Sequence, residues 1–101
     1  MFVEVTGSGV RLAEPEVFTA FHVVRPAAMT PDDLAAALST HEIGQLDGDD
    51  VLVRVTAVRR LAEGRVGDDW EDGFTAMLAY AERKGWLTDD GAMVRAHVEL
   101  A

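Results

Sequence analysis

The chain contains no cysteine among its 101 residues. This absence excludes disulfide scaffolds, thiolate metal sites and cysteine nucleophiles. Basic residues are also scarce: nine stand against eighteen acidic ones, which gives a formal net charge of −9. Binding to nucleic acid needs clustered lysine and arginine to neutralise phosphates, so we expect no nucleic-acid partner. The charge of the chain therefore argues against nucleic-acid binding but does not indicate a function.

Long apolar runs are lacking as well. No window approaches the roughly 20 apolar residues of a membrane span, and the first residues lack the basic and apolar regions of a secretory signal. We therefore expect no membrane association and a cytoplasmic location. The eight arginines outnumber the single lysine, and together with abundant alanine this bias is typical of a GC-rich bacterial genome.

About half of the residues, 49%, are hydrophobic, which is enough for one packed core in a chain of this length. No internal repeat, low-complexity tract or long linker divides the sequence. We therefore predict a single domain over residues 1–101.

The clearest element lies between Asp68 and Trp86. Asp68 can cap a helix with Glu71 three residues later, and Gly85 follows two basic residues as a terminator. One face of this predicted helix carries an apolar stripe: Trp70, Phe74, Met77, Leu78 and Ala81. A second, shorter helix is predicted over 31–38, because Thr30 is a good N-cap and Pro31 suits a first helical turn.

Strands are predicted on either side of these helices. Residues 2–6 alternate, and the turn at 7–9 leads into a short partner strand over 10–12. The apolar run at 17–24 predicts a central strand in which His22 is buried. Residues 92–100 alternate again, with Val94, Ala96, Val98 and Leu100 inward and Met93, Arg95, His97 and Glu99 outward.

Residues 51–62 leave three possibilities open. Their β-branched density favours a strand over 51–58. The spacing of Val51, Val55, Val58 and Ala62 equally fits a helix capped by Asp50. A strand that passes into a helical turn is the third possibility.

The predicted order of elements favours an α+β two-layer sandwich. We expect a mostly antiparallel sheet of about four to five strands with two helices on one face. The other face of the sheet is then uncovered, so a ligand or a second subunit can lie there.

Candidate functional residues lie on the outward face of the last strand. His97 and Glu99 are weak candidates for an acid/base pair, and Arg95 can contact an anionic ligand or a partner. Because side chains two residues apart on a strand are separated by about 7 Å, we expect the pair to flank a substrate or to meet diagonally across the sheet rather than to bond directly. The three histidines show no metal-ligand spacing, so we predict no metal site and no other cofactor.

Two aromatic residues complete the candidate set. Tyr80 lies off the apolar stripe of the long helix and can contribute to an interface or to the rim of a pocket. Trp86 follows the terminal glycine of that helix, where a hydrophobic cap is favoured over a place in an interaction surface. The glycine pair at 7 and 9 lacks the rest of a phosphate loop, and the acidic turn at 47–50 lacks the ligand pattern of a calcium loop. No nucleophile elbow surrounds either serine, so a serine hydrolase has no support.

These observations predict a non-enzymatic binding domain that associates with itself or with a protein partner through the uncovered sheet face. The alternative is a small-molecule enzyme or carrier in which Arg95, His97 and Glu99 contact a small anionic ligand in a cleft on that face. A third and weaker hypothesis treats residues 31–62 as two helices joined at Gly44, in a helix-turn-helix arrangement with the long helix as a third.

Overall fold

The computed structural model describes residues 1–101, which form an α+β fold with one six-stranded sheet and three helices. The strands are β1 (Phe2–Thr6), β2 (Gly9–Ala13), β3 (His22–Arg25), β4 (Gly44–Asp47), β5 (Asp50–Arg54) and β6 (Met93–Leu100). The helices are α1 (Pro31–Thr40), α2 (Val55–Ala62) and α3 (Trp70–Arg83).

The order of strands across the sheet is β2-β1-β3-β6-β5-β4. Three neighbouring pairs are antiparallel, namely β1 with β2, β4 with β5 and β5 with β6. The two pairs that involve β3 are parallel. The α+β class is as predicted, but the sheet is mixed rather than mostly antiparallel, with six strands instead of four to five and three helices instead of two.

Local signals placed several elements correctly. The first hairpin turns at residues 7 and 8, and the last strand runs from 93 to 100. Helix α1 begins with a full capping box, in which the Thr30 hydroxyl accepts from the Asp33 N–H and the Asp33 carboxylate accepts from the Thr30 N–H.

The long helix α3 ends as its sequence predicts and begins differently. Gly85 has a φ of 78°, and the N–H groups of Gly85 and Trp86 donate to the carbonyls of Glu82 and Ala81. This pair of bonds is the Schellman motif, which favours glycine at the left-handed position. At the other end, the helix starts at Trp70 with Asp69 as its N-cap, and no side chain caps it, so the predicted capping role of Asp68 was wrong.

Two strand predictions need correction. The predicted strand over 17–24 is reduced to His22–Arg25, because the chain turns at Glu14, whose φ is 48°, and reaches the sheet only at His22. Strand β4 was missed, since the short segment Gly44–Asp47 has no apolar alternation of its own and forms by pairing with β5 through a turn at Gly48.

The ambiguous segment 51–62 contains both kinds of structure. Strand β5 ends at Arg54 and α2 begins at the next residue, so the strand that passes into a helix is the arrangement found. Arg54 is the N-cap of α2, not Asp50. The strands at 44–54 also contradict the helix-turn-helix hypothesis, which needed helix on both sides of Gly44.

The core lies between the sheet and the helices. The twenty buried residues are all hydrophobic, and nineteen of them form one cluster. Alternation places Val3, Val23, Val53 and Val94 on this side of their strands. Leu100, predicted to point inward, is 60% exposed and is the last residue of β6.

The opposite side of the sheet has no helix over it, and we call it the open face. Its residues alternate with the buried ones along β1, β3, β5 and the first half of β6. They include four half-buried apolar side chains, Phe2, Val24, Leu52 and Met93, together with the polar groups described below.

Candidate functional site

Three titratable side chains meet in the middle of the open face. Nε2 of His97 lies 2.7 Å from Oε2 of Glu99, and Nε2 of His22 lies 3.5 Å from the same oxygen. The two imidazole rings stack, with their centroids 5.3 Å apart. We call His22, His97 and Glu99 the histidine cluster.

The sheet topology creates this cluster. Strands β3 and β6 are the two central strands, and their parallel register places His22 directly beside His97. The ring of Phe2, from the neighbouring strand β1, stacks on the other side of His22 at 5.1 Å. Consequently His22 is half-buried within a row of rings rather than enclosed in the core, which corrects the prediction of a buried histidine.

The contact between His97 and Glu99 also differs from expectation. The two side chains leave the strand about 7 Å apart, but the glutamate is long enough to lean back and close the gap. The hydrogen bond with His97 lowers the pKa of Glu99 below its ordinary value, and the nearby charge of His22 acts in the same direction. The pair therefore bonds directly and does not need to flank a substrate.

Arg95 lies on the same face but is already occupied. Its guanidinium donates to Asp50 at 3.2 Å and to Asp47, both from the β4–β5 hairpin. These two hydrogen bonds raise the pKa of Arg95 above its ordinary value. Because two adjacent carboxylates already offset its charge and would repel another anion, Arg95 is poorly placed to receive a small anionic ligand.

Tyr80 and Trp86 lie apart from the histidine cluster. Their rings meet edge to face at 6.0 Å and are 48% and 44% exposed. They line a mostly apolar cleft with Phe18, Phe21 and Met77, and Arg95 contributes to its edge. The cleft has a volume of about 80 Å³, well below the roughly 300–1,000 Å³ of typical small-molecule sites.

The predicted site residues therefore lie on two separate surfaces of the protein. His97 and Glu99 meet on the open face, whereas Tyr80 and Trp86 form a separate aromatic surface. His22, Asp47 and Asp50 were not predicted as site residues. No spacing in the sequence could have indicated them, because their partners come from strands distant along the chain.

The polar groups of the open face are all accessible to water. No polar or charged side chain is buried, so no acid or base lies in a water-excluded pocket. The open face instead offers imidazole nitrogens, a carboxylate and half-buried apolar groups at the surface, and these suit a partner or an ion.

Comparisons with protein-family models, with curated proteins and with solved structures found no match to this chain. None of its three helices combines the length and the apolar character required to cross a membrane.

Proposed function

We propose that this chain is a cytoplasmic binding domain that associates with a second copy of itself through the open face. The observation that carries the proposal is the pattern of charge on that face. Four carboxylates point from it, and each has a basic partner on the same face. These pairs are Glu4 with Arg11, Asp47 and Asp50 with Arg95, and Glu99 with the two histidines.

The rest of the surface is different. Of the eighteen acidic residues, the fourteen that lie elsewhere include only one, Glu71, that forms an ion pair. Two copies of a chain with a net charge of −9 repel each other, and the repulsion is weaker where Arg11, Arg95 and, once protonated, the two histidines offset part of the local negative charge. The open face is that surface, and its four half-buried apolar side chains would gain from being covered.

The size of the face sets the expected strength. Six strands about 4.8 Å apart and about 17 Å long present roughly 480 Å², so two copies would bury on the order of 1,000 Å² in total. This area is near the lower limit for a specific interface. We therefore expect a reversible dimer whose population rises with concentration.

Sedimentation velocity over a concentration series, in buffer with a chelator, tests the proposal. Leu52→Glu places an additional carboxylate at a half-buried position of the open face, and circular dichroism checks that the variant keeps the fold. We expect the wild type to dimerise and this variant to remain monomeric. Trp86→Glu, on the separate aromatic surface, is the matched control and should dimerise normally.

Four outcomes would contradict the proposal. The wild type could stay monomeric at every concentration, or Leu52→Glu could leave the dimer intact. Loss of the dimer in Trp86→Glu alone would move the interface to the aromatic surface. A dimer unchanged by the double variant Arg95→Ala, His97→Ala would argue against the centre of the open face.

A second function, binding of a small ligand, is favoured by one observation, the direct hydrogen bond between His97 and Glu99. Such a pair is a common acid/base arrangement. It ranks second because Arg95 is engaged by Asp47 and Asp50 and because the face has no enclosed cavity around the pair. Saturable binding of a small anion that is lost in His97→Ala would place this function first.

A further inference from the structure

We infer that the histidine cluster is a binding site for a divalent transition metal of the zinc class. Two imidazole nitrogens and one carboxylate oxygen are the donor set that suits zinc, nickel, copper and iron. One such atom from each of His22, His97 and Glu99 lies within 4.8 Å of the others. This inference does not depend on the proposed dimer, because all three groups come from one chain.

The distances in the cluster are close to those around a bound ion. Ligands about 2.0–2.1 Å from a tetrahedral zinc are about 3.3 Å from one another. Here Glu99 Oε2 lies 3.5 Å from His22 Nε2 and 2.7 Å from His97 Nε2. An ion can enter once the His97 ring rotates, because the two rings stack with an interplanar angle of 21° and their nitrogen lone pairs run nearly parallel instead of meeting at one point.

Within the histidine cluster, His97 and Glu99 lie at the surface, whereas His22 is packed within the row of rings. The side chains of His97 and Glu99 are 61% and 51% exposed, so both can adjust. His22 is held between the rings of Phe2 and His97, and its side chain is only 19% exposed. The remaining coordination positions point out of the sheet, where water or a partner can supply them.

The arrangement also indicates the affinity to expect. Neither histidine has a hydrogen bond to its second ring nitrogen, and such bonds usually strengthen a metal site by about 10–100-fold. The rings are oriented by stacking alone, so the site should bind more weakly than a structural zinc centre. Sites built only from carboxylates elsewhere on this acidic chain would prefer magnesium or calcium, and this preference distinguishes them from the histidine cluster.

Isothermal titration of the intact protein with Zn²⁺, and absorption spectra with Co²⁺, test this site. We expect one ion per chain in the wild type and at least about tenfold weaker binding in His22→Ala, His97→Ala and Glu99→Gln. Glu99→Gln keeps the size of the side chain, so it remains informative if a histidine variant folds poorly. The matched control is His41→Ala, which removes the third histidine at the exposed end of α1 and should bind as the wild type does.

Several results would overturn the inference. They are the absence of zinc binding, equal binding by all variants, an equal loss in His41→Ala, or displacement of Co²⁺ by a similar concentration of Mg²⁺. The monomeric variant Leu52→Glu should still bind zinc, and the wild type should still dimerise with a chelator present. Failure of the metal site and failure of the dimer are therefore distinguished.

Discussion

Replacing Gly73 by alanine has two opposite effects on the stability of the protein: it improves the helix propensity of α3 and it creates a steric clash. Glycine within a helix costs about 1 kcal/mol relative to alanine, so helix propensity alone predicts that Gly73→Ala stabilises α3. In the structure, however, a Cβ at Gly73 would lie 2.4 Å from Cε2 of Phe18. Two further atoms of that ring would lie at 2.6 and 2.8 Å.

The ring of Phe18 packs against Trp70 with the centroids 6.3 Å apart, so moving it away from residue 73 would loosen that contact. Overpacking of this kind costs about 1–3 kcal/mol. After subtraction of the gain in propensity, we expect Gly73→Ala to destabilise the protein by about 1 kcal/mol, which lowers the Tm by about 4–8 °C. Urea denaturation at one fixed, low protein concentration measures the change without a contribution from dimerisation.

A double-mutant cycle identifies the cause. In a Phe18→Ala background the clash is gone, so Gly73→Ala should stabilise by about 1 kcal/mol. Ala76→Gly, at an exposed position of the same helix, calibrates the propensity and should destabilise by about 1 kcal/mol. If Gly73→Ala stabilises the wild type as much as the Phe18→Ala variant, the packing argument is wrong.

Two further predictions concern the sheet edge and the surface of α3. A Cβ at Gly44 would lie 1.9 Å from the carbonyl oxygen of Leu52. Gly44→Ala should therefore force β4 away from β5 and lower the free energy of unfolding, measured by urea denaturation, by at least about 3 kcal/mol. The control is Gly48→Ala, where a Cβ would meet open space but the backbone φ is 62°. This variant should lower the free energy of unfolding by only about 1 kcal/mol. The hydrogen bonds from Arg59 lower the pKa of Glu71, so this pair stabilises the protein above about pH 4 and the contribution is lost as the pH falls through the lowered pKa. Glu71→Gln should remove that part of the acid dependence, and an unchanged acid limb would contradict it.

The sequence determined the elements whose signals are local. The capping box at Thr30 and Asp33 and the glycine stop at Gly85 are formed by residues within a few positions of each other. The alternation in β6 likewise predicts which residues point to the open face, because side chains alternate along any strand.

The tertiary structure decided what depends on distant partners. β4 has too few residues to indicate a strand and exists through its pairing with β5. His22 and His97 become neighbours only because β3 and β6 pair in parallel. Arg95 forms its two ion pairs only because the β4–β5 hairpin brings Asp47 and Asp50 to it. Sequence patterns report spacing along one element, whereas a site on a sheet is built across strands, so the register of the sheet had to be known before the site could be identified.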